Sequence, residues 1–238
     1  MNFEQLALTP QIHKAIKREG YTTPTPIQQQ AIQPQLDGKD VFGIAQTGTG
    51  KTAAFALPLI HKLTTNGKRA SSKHCRSLIL APTRELAAQI EEAIATYGKF
   101  TNLKTAVIFG GVGQNPQVKA IKQGVDILVA TTRRLLDLHN QGHVKFGEVQ
   151  TFILDEADRM LDMGFIPDIK KVLKFVPHQR QTLFFSATNP QSISKFAKQI
   201  LNNPVYIEIE PEKTAADSVE QKLVFIPQNR KNSLLLHL

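Results

Sequence analysis

One stretch, Ala45-Gln46-Thr47-Gly48-Thr49-Gly50-Lys51-Thr52, limits the fold more than any other. It follows the apolar run Val41-Phe42-Gly43-Ile44 and opens a segment rich in alanine and leucine from Thr52 to Leu63. A strand, a glycine-rich loop and a helix in that order make a phosphate cradle. Gly48 and Gly50 let the backbone turn tightly and aim its N–H groups at phosphate oxygens. Lys51 supplies a point charge to the outer phosphates, and the Thr52 hydroxyl is placed to ligate Mg²⁺. The helix that follows turns its partial positive end toward the same anion. In the general pattern G-x-x-x-x-G-K-[ST], Ala45 stands in the place of the first glycine. A glycine-rich turn also serves as a plain tight connection; the Lys51-Thr52 pair is what adds phosphate chemistry.

The rest of the chain alternates in the manner this loop requires. Strand candidates lie at 77–81, 105–109, 127–130, 151–154, 182–185 and 205–209. Helix candidates lie at 84–97, 118–123, 134–140, 167–175 and 191–201. Runs such as Ser77-Leu78-Ile79-Leu80-Ala81 are continuously apolar instead of alternating, as in strands covered on both faces. The expectation is an α/β fold of three layers, a mainly parallel sheet with helices on both faces. Ahead of the loop, Ile12 and Ile16 and then Ile27, Ala31 and Ile32 predict two short helices, broken at Gly20 and at Pro24-Thr25-Pro26. The stretch from Thr64 to Lys73 reads as an exposed basic loop.

In parallel sheets, ligands bind beyond the carboxyl ends of the strands. After 151–154 comes Asp155-Glu156-Ala157-Asp158. A strand-terminal Asp-Glu suits a nucleotide hydrolase: the Asp holds Mg²⁺, often through water, and the Glu polarises an attacking water. Such a pair also occurs as a helix cap; Lys51-Thr52 upstream favours the catalytic reading. After the other strands come Pro82-Thr83-Arg84, Gly110-Gly111, Thr131-Thr132-Arg133-Arg134 and Ser186-Ala187-Thr188. Hydroxyls, glycine N–H groups and guanidinium ions so placed suit contacts to a sugar-phosphate backbone, although Ser and Thr are also ordinary caps.

Composition enters at this point. A net charge of +9 makes nucleic acid the first polyanion to consider, with simple solubility as the other account. Cys75 is the single cysteine, so no disulfide framework or thiolate metal site is expected. Residues 1–8 carry no signal-peptide pattern and no run approaches about 18 apolar residues. A cytoplasmic location without a membrane partner is expected.

These ordered motifs resemble the N-terminal, RecA-like half of a DEAD-box RNA helicase of bacterial type, over nearly the whole chain. The similarity includes a Q motif, with Phe3 ahead of Gly20-Tyr21 and Pro24-Thr25-Pro26-Ile27-Gln28. It implies that Gln28 reads the adenine edge and Tyr21 stacks on the base. It makes Ala45, Gln46, Thr47, Gly48, Thr49, Gly50, Lys51 and Thr52 the ATP cradle, and Lys51, Asp155 and Glu156 the catalytic set. Thr52 and Asp155 would hold Mg²⁺. Pro82, Thr83, Arg84, Gly110, Gly111, Thr131 and Arg134 would bind RNA, as single strand or duplex, through its backbone. Asp158, Ser186 and Thr188 would couple the two sites. One segment departs from the family pattern T-P-G-R: Thr131 and Arg134 remain, but Thr132-Arg133 replaces Pro-Gly. Arg133 either adds a phosphate contact or blocks the close approach that glycine permits.

The resemblance further implies a second RecA-like domain of the same protein as partner. The expected division is a first domain at 1–207, a linker at 208–220 and the start of a truncated second domain at 221–238, where Lys222-Leu223-Val224-Phe225-Ile226 resembles an opening strand. By itself this chain is expected to bind ATP yet be nearly inactive as an ATP hydrolase. The rival readings are a binding-only nucleotide or RNA module and a DNA-directed ATPase. Oligomeric state is left open.

Overall fold

The computed structural model describes residues 2–210 and 224–235. Its elements are α1 (Pro10–Arg18), α2 (Pro26–Leu36), β1 (Val41–Ile44), α3 (Lys51–Thr65), β2 (Cys75–Ala81), α4 (Arg84–Tyr97), β3 (Thr105–Ile108), α5 (Asn115–Ile121), β4 (Val125–Thr131), α6 (Thr132–Asn140), β5 (Thr151–Leu154), α7 (Ala157–Asp162), α8 (Ile166–Leu173), β6 (Gln181–Ser186), α9 (Gln191–Ile200) and β7 (Val205–Glu208). The expected strands and helices are present within a few residues of their ends, and α7 is an addition that the apolar pattern did not announce.

The seven strands form one sheet in the order β3-β4-β2-β5-β6-β1-β7, and every neighbouring pair is parallel. Successive side chains leave opposite faces, so one strand feeds two cores. Ile79 joins Ile12, Ile27, Phe55 and Ile90 beneath α1–α4, whereas Leu78 and Leu80 join Leu135, Met160, Ile169 and Phe196 beneath the later helices. The continuous apolar runs are therefore the imprint of a middle layer, as expected. Burying one such aliphatic side chain contributes roughly 1.5–3 kcal/mol.

Strand order also sorts the loops at the carboxyl edge. The phosphate loop, Ser186–Thr188 and Asp155–Glu156 follow β1, β6 and β5, three adjacent strands. Pro82–Arg84, Thr131–Arg134 and Gly110–Gly111 follow β2, β4 and β3, the other side of the same edge. Two expected sites thus become two halves of one rim.

The strand expected at 222–226 is corrected in part. Residues 224–227 have no strand structure, and Phe225 is 89 % exposed. An opening strand needs a pairing partner, and none of the described residues pairs with this segment. Residues 222 and 223, and most of the expected linker, lie outside the described residues. A short helix, α10 (Lys231–Leu235), follows. No described helix is long and apolar enough to cross a membrane.

Candidate functional site

The phosphate loop is fixed at both ends. Ala45 N donates to Ser186 O at 3.0 Å, tying the loop to the end of β6. Gly48 and Gly50 have φ of +86° and +92°, a region that side-chain-bearing residues rarely adopt. At Gly50 space matters as well, because an added Cβ would collide with Gln28 Nε2 and sit 3.0 Å from Thr25 Oγ1. The Gln28 amide explains the crowding. Its Nε2 donates to Gly50 O at 3.1 Å and its Oε1 accepts from Thr25 N at 3.0 Å, so the side chain staples the start of α2 to the loop. One further N–H and one lone pair remain on that amide for a base edge. Tyr21, 44 % exposed, lies instead against Phe3 and Tyr97, with ring centroids 6.4 and 6.2 Å away.

α3 begins at Lys51, so the first N–H groups of the helix face the loop without helical partners. Lys51 is buried, and its Nζ donates to Ala45 O at 2.7 Å, spanning the cradle. Thr52 occupies the first turn, half-buried.

Across the cradle stand the two acids. Asp155 N donates to Leu80 O at 3.1 Å, which carries the sheet one residue past β5. Its carboxyl group is 2 % exposed and accepts from Glu156 N at 3.0 Å. Burial pushes its pKa up, Lys51 opposes that, and Glu156 and Asp158 add to it; the outcome is a value of about 6. Glu156 has φ +51° and ψ +52°, a conformation that typically costs about 1–3 kcal/mol outside glycine. The twist turns its side chain back toward the loop. Oε1 lies 3.5 Å from Thr47 Oγ1, long for a hydroxyl–carboxylate bond, and Oε2 lies 3.3 Å from Arg159 Nη1. Arg159 escaped the sequence reading, yet its place three residues after Glu156 on a helix is the signal for such a pair.

The expected coupling residues also converge. Asp158 accepts from both the backbone N and the hydroxyl of Thr188 at 2.9 Å, and Ser186 Oγ donates to Thr188 O at 2.7 Å. Burial alone would raise the Asp158 pKa, but the Thr188 hydroxyl and nearby backbone N–H groups hold it below the usual carboxylate range.

The other half of the rim is open. Thr83 Oγ1 caps α4 through Leu86 N at 3.3 Å, and Arg84, exposed, donates to Glu85 Oε1 at 2.6 Å. Pro82, between β2 and that cap, is buried. Gly111 has φ +81°, and a Cβ there would lie 3.5 Å from Arg84 Nη1, so the Gly110-Gly111 turn meets the arginine. Thr131 ends β4 and precedes α6. Arg134 is used inward: Nη2 donates to Val112 O at 3.1 Å and Nη1 to Gln117 Oε1 at 3.5 Å, leaving its side chain 15 % exposed. It fastens the glycine turn to α6. Arg133 takes neither expected course directly, since its guanidinium lies over the Phe165 ring, 5.1 Å from the centroid.

Comparison with known proteins agrees with this geometry. The sequence model of the DEAD/DEAH box helicase family matches residues 25–196. The chain is 44 % identical over 224 residues to the ATP-dependent RNA helicase CshA of Limosilactobacillus reuteri, covering 94 % of this chain and 44 % of the relative. It is 43 % identical over 240 residues to the ATP-dependent RNA helicase RhlB of Pasteurella multocida, covering 100 % of this chain and 57 % of the relative. The chain thus spans about half the length of these curated relatives. A solved DEAD box protein from the hyperthermophile Methanococcus jannaschii superposes with a TM-score of 0.81 at 38 % identity, over all of this chain and 62 % of that one. The expected RecA-like arrangement is therefore the fold observed.

Proposed function

The chain belongs to the DEAD/DEAH box helicase family, and from that premise we propose that it is the ATP-binding half of an ATP-dependent RNA helicase. Gln28 and Tyr21 take the adenine, the loop from Ala45 to Thr52 takes the phosphates, and Lys51 neutralises their charge. Residues 1–207 form the working domain, with a linker at 208–220 and the start of a second RecA-like domain at 221–238. The protein acts in the cytoplasm, and the second domain completes the site.

The observation that carries the reading is the state of Asp155: a fully buried carboxylate with one short donor, facing Lys51 and the loop. Among the described residues no Lys, Arg or His lies within salt-bridge distance of it, Lys51 acting from farther off, and a buried acid so placed is costly. Among the described residues no three His, Cys, Asp or Glu side chains gather as a protein-made metal cage. That donor set fits Mg²⁺, which takes one or two carboxylates and completes its octahedron with phosphate and water. Asp155 and Thr52 would hold it, and when bound it supplies charge neutralisation at the phosphates. Glu156, bent back over the loop, is the base that orients and deprotonates the attacking water. Asp158, locked to Thr188, passes the state of this half to the rim where RNA phosphates lie along Thr83, Arg84, Gly110, Gly111, Thr131 and Arg134.

A binding-only module would not need Glu156 in a strained conformation beside the cradle, and the names of the relatives favour RNA over DNA. The test is calorimetric titration with Mg-ADP and Mg-GDP, paired with ATP turnover in the presence of RNA or DNA. Binding that prefers ADP, lost in Asp155→Ala but kept in Glu156→Gln, is expected. In a two-domain form, turnover should rise with RNA and vanish in Glu156→Gln. Equal loss of binding in both variants would overturn the roles.

A further inference from the structure

α6 and α8 pack side by side on the sheet, and between their outer faces runs a groove of about 570 Å³. Its upper mouth is Arg133, two residues past the end of β4, and so lies next to Thr131 of the rim. Its lower end is Phe175, 46 % exposed although large and apolar. Phe175 packs against two rings, with its ring centroid 4.3 Å from His139 and 6.5 Å from Phe146. An exposed aromatic clamped by two others is a stacking platform.

The charges along the groove favour a polyanion. Asp168 is neutralised by Lys171 at 2.8 Å, and Asp137 accepts from Gln141 Nε2 at 2.9 Å and faces Arg134 at 3.9 Å. Arg133 and Lys174 line the groove without a carboxylate within salt-bridge distance among the described residues. From Arg133 to Asn140 the helix rises about 10 Å, a span that a single strand crosses within a few nucleotides.

We propose that single-stranded RNA crossing the carboxyl rim continues into the α6–α8 groove, where its phosphates meet Arg133 and Lys174 and a base stacks on Phe175. This rests on the RNA-rim reading above and extends it by a second segment. It also gives the Thr132-Arg133 departure a role. Arg133 leaves the rim to mark the entrance of the groove, and its cation–π contact with Phe165 holds it there. Stacking of a base on an aromatic ring is sequence-tolerant and works beside a basic track, the combination found here.

The test uses labelled oligouridylates of six nucleotides and of nine, extended at the 5′ or the 3′ end, measured by fluorescence anisotropy at low salt. One nine-mer is expected to bind about tenfold tighter than the six-mer. Phe175→Ala and Lys174→Glu should each remove that gain and leave the six-mer affinity unchanged. Two surface variants of different chemistry guard against a folding artefact in either. No gain from extension, or a gain that survives both variants, overturns the groove and leaves it to a protein partner or to none. In that event, six-mer binding weakened by Arg84→Ala still supports the rim. A six-mer that fails to bind, or ignores Arg84→Ala, brings down the rim reading and the groove with it.

Discussion

Two edges of the same sheet bury carboxylates, and they treat them oppositely. At the amino edge, Asp126 accepts from Arg76 Nη1 at 3.1 Å and from Lys104 N at 2.9 Å, and Asp40 accepts from Thr182 N and Asn202 N at 2.7 Å each. At the carboxyl edge, Asp155 is equally buried but receives one backbone bond, while nearby Lys51 spends its short bond on Ala45 O. The amino-edge carboxylates each accept two bonds that tie the structure together, whereas Asp155 accepts one, beside the phosphate loop. A buried carboxylate with few donors is costly in a folded chain, which makes Asp155, beside a phosphate loop, a candidate partner for a cationic ligand.

The largest expected effect is at the amino edge. Asp126→Ala leaves the Arg76 guanidinium buried without its carboxylate, and such a loss typically costs about 3–5 kcal/mol. Urea denaturation should show the midpoint falling accordingly, with nucleotide affinity of the remaining folded protein unchanged. A small shift would mean that the Leu63 and Lys68 carbonyls, which also accept from Arg76, carry the site alone.

Asp155→Asn should act with the opposite sign. Its folded pKa, about 6, lies above the ordinary carboxylate value of 3.8. The native state therefore binds the extra proton between those values, and the metal-free chain loses stability as pH rises from about 4 to 6. The difference amounts to roughly 3 kcal/mol at neutral pH, taking about 1.4 kcal/mol per unit. Asp155→Asn should remove this decline, stabilising the metal-free chain at pH 7 while abolishing the Mg²⁺ dependence of nucleotide binding. Thermal melts across pH, wild type against variant, isolate Asp155 from Asp158, whose lowered pKa gives a contribution lost as pH falls. Parallel curves for the two proteins would refute the assignment.

How much of this was legible in the sequence follows from distance along the chain. The cradle is eight consecutive residues and Asp155-Glu156 sits at the end of an apolar run, so both could be read directly. The Arg76–Asp126 pair joins residues 50 apart in sequence, and Arg76 lies one residue before the strand expected at 77–81, where no local pattern marks it as buried. Likewise spacing places Arg134 on the rim, whereas its bonds to Val112 O and Gln117 depend on acceptors from another loop that no local pattern shows. Pattern gives the elements and contiguous motifs; which way a long side chain points is settled by tertiary neighbours.

A smaller effect sharpens the comparison within the cradle. Gly48 and Gly50 share a positive φ, but a Cβ at Gly48 meets open space while at Gly50 it meets Gln28. Gly48→Ala should cost about 1 kcal/mol, the backbone term alone. Gly50→Ala adds the collision, so it should lower stability further and weaken ADP binding by displacing the Gln28 amide. Equal costs in thermal denaturation would mean that the glutamine moves aside freely.

The smallest effect on stability separates two arginines of the open half of the rim. Among the described residues Arg84, exposed, is tied only to Glu85, its neighbour in sequence, so Arg84→Ala should leave the melting temperature unmoved. Arg134 bonds Val112 O and Gln117, and its removal should loosen the Gly110-Gly111 turn and lower the melting temperature by a few degrees. Both should weaken RNA, but for different reasons. Losing a direct phosphate contact reduces the slope of log affinity against log salt by about 0.7 for a single strand, whereas losing a positioning residue lowers affinity with less change in slope. Titrations of a short single-stranded RNA at several salt concentrations therefore tell a contact from a brace. Should Arg134→Ala change the slope as Arg84→Ala does, without lowering the melting temperature, then Arg134 turns outward when RNA binds, and the inward bonds belong to the free chain only.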